Sequence, residues 1–196
     1  MKRFIHFICL LLLLVPITMV GCAIEPSFEL VDSSVTITND RGIAGAAGIT
    51  EGEKKGQELV PTVLYYKVVI KNNGLRAVRL DRMETPRKKG SYIKIEPHEK
   101  LKEILNETVG INVFDPESYR GTGLGYGDSL SLALKPGEQA ESSLTFDLGV
   151  SEKSPNTMLV VPSAEQLEEL LKYARDADLV IWEKDVAVAR FDLSRE

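Results

Sequence analysis

Gly121-Thr122-Gly123-Leu124-Gly125-Tyr126-Gly127 runs directly into Asp128-Ser129, and here the chain comes nearest to displaying chemistry. A serine becomes a nucleophile only beside a positioned base. The chain has two histidines, His6 and His98. Both precede Ser129, and His98 stands between Glu96 and Glu99. Those three side chains are too close in sequence to converge on one ion, and acidic residues at a helix start answer the helix dipole. Asp115 and Glu117 flank Pro116 in a turn, without the ligand spacing of a calcium loop. A phosphate loop needs a helix N-terminus and a lysine after its glycines; here a strand pattern follows. The residues therefore specify no catalytic group, no metal site and no cofactor. The glycine run is instead the candidate partner-binding loop, comprising Tyr119, Gly121, Gly123, Gly125, Tyr126 and Gly127. Exposed tyrosines there would offer contact area at low entropic cost. The alternative is a hydrolase that uses Ser129.

The other reactive group is the thiol of Cys22. Lys2 and Arg3 open the chain, Ile5 to Val20 is an apolar run broken by His6, Pro16 and Thr18, and Gly21-Cys22 closes it. A basic head, an apolar middle and a small-residue end define a secretory signal. The run is shorter than the ~20 residues of a spanning helix. Met19-Val20-Gly21-Cys22 resembles the lipobox of bacterial lipoproteins, in which the cysteine is diacylated and becomes the first mature residue. That resemblance implies residues 1–21 as signal peptide, Cys22 as the lipidation site, and residues 22–27 as a short tether. It places the protein on the extracytoplasmic face of the cell membrane, or in the outer membrane if the host has two membranes.

Cleavage before Cys22 would leave 175 residues, one domain large enough to bury roughly 70 % of its unfolded surface. Cys9 leaves with the signal and Cys22 carries lipid, so no internal disulfide is expected. The formal charge of the whole chain is −5, and it becomes −7 without Lys2 and Arg3. Nothing resembles a nucleic-acid footprint; three basic residues adjoin only at Arg87-Lys88-Lys89.

The elements that must position the loop are mostly strands. Phe28 to Thr38 reads as one or two, with Val35 and Ile37 alternating against Thr36 and Thr38. Asn39 to Pro61 carries five glycines and no period, as expected of a flexible connector or a partner-binding loop. Val63 to Ile70 alternates most cleanly. Asn72-Asn73-Gly74 then suits a tight reversal into a strand at Leu75 to Met83. Ser91 to Glu96 is a strand, Pro97 to Glu107 a short amphipathic helix, and Val109 to Phe114 again a strand. Ser129 to Leu134 and Glu141 to Leu148 predict a hairpin across the Lys135-Pro136-Gly137-Glu138 turn. Met158 to Val161 is a short strand. Ser163 and Gln166 form a capping box for a helix whose buried stripe is Leu167, Leu170, Leu171 and Ala174. Asp178 to Trp182 and Val186 to Leu193 make a last hairpin, with Trp182 in it or at its rim.

These eight or nine strands predict a mainly β fold, an antiparallel sandwich over residues 28–196. LYYKVVIKNNGLRAVRL, KPGEQAESSLTFDLG and VAVARFDLS resemble, in order and spacing, motifs of secreted bacterial immunoglobulin-like domains of unknown function, many of them lipoproteins. The resemblance implies an immunoglobulin-like β-sandwich, here with two short helical insertions, and no catalytic residue. Gly127-Asp128-Ser129-Leu130 also resembles the signature of the GDSL serine hydrolases, whose later Asp-x-x-His is missing: no histidine follows Ser129, and Ile95 stands three residues before His98. The expected function is a membrane-anchored, non-catalytic binding module of the cell envelope. Its expected partners are the membrane, through lipidated Cys22, and an envelope protein or cell-wall component, with no nucleic acid.

Overall fold

Leu64, Tyr66, Val68 and Ile70 are each at most 1 % exposed, while Tyr65, Lys67, Val69 and Lys71 between them stay partly open. A strand with one face so apolar needs a second layer to cover it. The computed structural model, which describes residues 26–80, 91–129, 132–155 and 157–195, supplies that layer. The signal segment with Cys22, the basic triplet at Arg87, Lys88 and Lys89, Met83 and Leu130 lie outside the described residues.

Among the described residues, β1 (Phe28–Thr38), β4 (Thr62–Asn72), β9 (Gln139–Gly149) and β7 (Tyr126–Asp128) form one antiparallel sheet in the order β1-β4-β9-β7. A second sheet has the order β11-β10-β6-β5-β8, built from β5 (Val78–Leu80), β6 (Ser91–Pro97), β8 (Leu132–Leu134), β10 (Ala177–Glu183) and β11 (Val186–Asp192). Its pairs are antiparallel except β5 with β6, which run parallel through Leu80 and Ser91. The inner faces of both sheets share one core, where Leu144, Phe146 and Leu148 join Ile93, Ile95, Leu179 and Ile181. The fold is therefore mainly β, with its strands in two sheets around one core.

Helices α2 (Glu99–Thr108) and α3 (Ala164–Tyr173) pack on each other and on that core through Leu101, Ile104, Leu105 and Leu170. The capping box is present: Ser163 Oγ accepts from Gln166 N at 3.3 Å, and Ser163 N donates to Gln166 Oε1 at 3.0 Å. Leu170 and Ala174 are sealed, but Leu171 is 40 % exposed, so the stripe is narrower than expected. The last hairpin also forms as read. Its two-residue turn places Lys184 and Asp185 at φ 49° and 65°, the double positive φ of a turn that matches strand twist. Trp182 stacks on Tyr92 at 6.3 Å between ring centroids.

Two expected hairpins fail for one reason: turn chemistry shows that the chain bends, not which strand it meets next. Asn72-Asn73-Gly74 does not make a hairpin. β4 pairs with β1 and β9, and β5 lies in the other sheet. The corner is held by Asn72, fully buried. Its Nδ2 donates to Arg76 O at 2.8 Å and Leu134 O at 3.0 Å, and its Oδ1 accepts from Gly74 N at 2.9 Å. The Lys135–Glu138 turn likewise joins β8 of the second sheet to β9 of the first, so the expected hairpin is a crossing between sheets. Val109 to Phe114 is not a strand either. Val113 and Phe114 are buried in turns, and Phe114 packs edge-on to Phe146 at 4.6 Å and to Tyr66 at 6.1 Å. Met158 to Val161 makes only an isolated bridge from Val160 to Val150. The connector 39–61 has structure of its own: α1 (Arg41–Ala44), capped by Asp40, and a ladder between β2 (Ala47–Gly48) and β3 (Glu58–Leu59). Ile49 and Leu59 bury against Val150 in a small second core that Leu124 also touches. Glycine content signalled softness locally, while tertiary burial supplied the order.

Candidate functional site

The second core brings the two glycine-rich stretches together. Residues 42–47 form one wall and residues 123–129 the other of a groove of about 640 Å³. Its floor is the outer face of the first sheet, where alternation sends Tyr65, Ser143, Thr145 and Asp147 away from the core. The register sets Tyr65 opposite Thr145 and Gly127 on the other side of Thr145. A Cβ at Gly127 would stand 2.8 Å from Thr145 Oγ1, so a larger residue there would displace that hydroxyl.

Asp147 carries the electrostatics of the floor. Its Oδ2 accepts from Gly125 N at 2.9 Å, and its own N–H donates to Gly125 O at 3.0 Å. Burial pushes its carboxyl from the ordinary 3.8 up to about 6, against the Gly125 N–H, which favours the charged form. A carboxylate shifted by desolvation and lining a cleft is a functional-site signal. Asp147 was legible in the sequence only as one of the outward polar positions of its strand. Its burial comes from loops 20 and 100 residues away, which no local pattern reports.

The expected binding-loop residues divide. Gly123, Gly125, Tyr126 and Gly127 line the groove, but the Tyr126 ring packs on the core beside Tyr119, because its strand position lies opposite Phe146. Tyr119 does not offer an exposed ring: it is 5 % exposed, and its hydroxyl donates to Asp147 O at 2.9 Å. The reason is the short 3-10 helix Pro116–Tyr119, capped by Asp115, which turns the ring inward. Tyr119 is thus a strut under the groove, with a hydroxyl held upward in pKa by burial. Gly121 lies in the turn before the wall, at φ +80°. Asp115 and Glu117 serve that capped turn and a surface pair with Arg120.

Ser129 also lines the groove. Its N–H donates to Ser143 O at 3.0 Å, and its Oγ accepts from Ser143 N at 2.9 Å. That hydroxyl extends the ladder where β7 ends. His98 spends both ring nitrogens elsewhere, Nδ1 on Asp176 at 2.9 Å and Nε2 on Asp178 at 3.2 Å, beside the second sheet. The hydrogen bond to Asp176 raises its pKa, against its partial burial. Arg190 ties Asp178 to Glu96 in the same surface network. No group of three or more His, Cys, Asp or Glu side chains among the described residues could hold a metal ion.

The groove lies at the Thr38–Thr62–Gly149 end of the first sheet. The first described residues enter at the opposite end, where Asn73 N and Gly74 N donate to Ser27 O. Eleven residues of β1 separate the two ends, about 35 Å at ~3.3 Å per residue. No helix among the described residues is long and apolar enough to cross a membrane. The site is a polar groove at one end of a two-sheet fold. No family model, curated protein or solved structure matches this chain.

Proposed function

We propose that the chain is a lipid-anchored, extracytoplasmic binding module of the bacterial cell envelope. Cys22 holds it to the membrane, and an immunoglobulin-like sandwich captures an envelope protein or cell-wall component without catalysing a reaction. The observation that carries this reading is the placement of the groove. Its floor is centred on Thr145, which aligns through Tyr65 with Thr36, eight residues of β1 or about 26 Å from Phe28 at the end where the tether would enter, so a molecule anchored at Cys22 would present it away from the bilayer. The engagement of His98 by Asp176 and Asp178, rather than by Ser129, supports the non-catalytic part. The immunoglobulin-like part draws on two antiparallel-rich sheets around one core, with α2 and α3 as the inserted elements.

Metabolic labelling with a palmitate analogue tests the anchor. The wild type is expected to take the label, and Cys22→Ala to lose it and leave the membrane fraction, since two acyl chains give stable attachment where one gives marginal binding. An unlabelled wild type would refute the anchor. In crosslinked envelopes, Tyr65→Ala, on the outer face of the groove floor, should reduce the recovered partner while Tm stays within a few degrees. Unchanged recovery would refute the groove.

A further inference from the structure

Among the described residues, the groove's lining holds Asp128 and Asp147 and neither lysine nor arginine. Asp147 is engaged from one side only, by the Gly125 N–H on Oδ2, and no ion pair reaches it among the described residues. A half-buried carboxylate without a cation is destabilising unless something else satisfies it. Tyr65, on the outer face of the floor, adds aromatic surface on which a cation can rest. The walls are almost bare backbone. An added Cβ at Gly45 or Gly125 would meet no atom within 4 Å, so another main chain can lie close to either. From Ser143 to Asp147 the floor follows the strand for four residues, about 13 Å, and its volume falls within the ~300–1,000 Å³ of ligand sites. That is more room than a simple amine fills, and it matches a few extended residues.

We propose that this groove binds an extended peptide segment bearing a primary ammonium group, seated against the carboxylate of Asp147. The inference rests on the binding-module reading above and names its ligand chemistry. Ammonium is favoured over guanidinium because one carboxylate oxygen is already taken by Gly125 N. A guanidinium fork needs two oxygens for its paired contact, whereas an ammonium is a point charge that one oxygen satisfies.

Calorimetric titration of the full-length protein in detergent solution tests this with three probes: the amides of acetyl-Ala-Ala-Lys-Ala, of its arginine counterpart, and of its norleucine counterpart, which lacks the charge. The lysine peptide should bind at least tenfold tighter than the norleucine peptide, with arginine between. Asp147→Asn should erase the lysine advantage while leaving the norleucine affinity within about twofold. Gly125→Val, whose Cβ would meet no atom within 4 Å, should weaken all three, and melting curves check that both variants stay folded. Equal binding of lysine and norleucine peptides, both weakened by Gly125→Val, would overturn the ammonium assignment and leave the groove standing. So would lysine binding that survives Asp147→Asn. No binding of any probe at millimolar concentration would overturn the peptide assignment, while the crosslinking result with Tyr65→Ala judges the groove separately.

Discussion

Asp147→Asn should make the protein more stable at neutral pH, because the groove keeps a carboxylate where a neutral group would sit more easily. The folded-state carboxyl titrates at about 6 instead of the ordinary 3.8. A carboxyl with a raised folded pKa binds its proton more tightly in the native state. Native stability is then highest below the unfolded pKa and falls as pH rises through about 6. The full shift corresponds to about 3 kcal/mol at pH 8. Asp147 is only partly buried, and solvent screening brings the expected figure to ~1–2 kcal/mol. Asparagine keeps an oxygen to accept the Gly125 N–H, so that hydrogen bond survives. Urea unfolding of wild type and variant at pH 4 and pH 8 measures the difference, and the titration of other groups such as His98 cancels between the two proteins. The variant should gain ~1–2 kcal/mol at pH 8, or about 2–8 °C in Tm for a domain of this size, and nearly nothing at pH 4. A variant less stable than wild type at pH 8, or a difference that does not change with pH, would refute the reasoning.

Other expectations follow from single sites. Asn72→Ala leaves Arg76 O, Leu134 O and Gly74 N without their buried partner and should destabilise by about 3 kcal/mol, read as a lower urea midpoint. Gly149→Ala should be at least as damaging, since φ is +145° and a Cβ would stand 2.4 Å from Val161 N; a thermal melt shows it, and a neutral result would mean that β9 ends differently. His98 has a folded pKa raised above 6.5 by Asp176 and then Asp178. Its contribution is therefore present below 6.5 and lost as pH rises through the higher folded value. With the side chain 39 % exposed, His98→Gln should cost about 0.5 kcal/mol below that window and nothing above it.

Local pattern carried the elements whose information is local. The alternation of Val63 to Ile70, the capping box at Ser163 and Gln166, and the last hairpin all stand in the structure, because period, cap and turn act within a few residues. What was not legible depended on partners. Asn72 reads as a hairpin residue and acts as a buried corner pin. Phe114 has the pattern of a strand and becomes a core plug, because Tyr66 and Phe146 leave a place for its ring. The glycine run was visible as one wall of the site. The other wall, and the burial of Asp147, required the connector 39–61 to fold back through Ile49 and Leu59 onto Val150, contacts 90 to 100 residues apart. Tyr119 reversed its expected role for a similar reason: its hydroxyl finds a main-chain acceptor at Asp147, in the strand beneath the loop.

Site-specific photo-crosslinking in living cells tests the central claim most directly, with one probe at Ile43 on the groove wall and another at Leu75, which is 78 % exposed beside the tether end. A groove that faces away from an anchoring membrane predicts a protein or wall-polymer adduct from position 43, suppressed by Tyr65→Ala, and lipid adducts from position 75. Lipid adducts from position 43, or the same protein adduct from both positions, would contradict it.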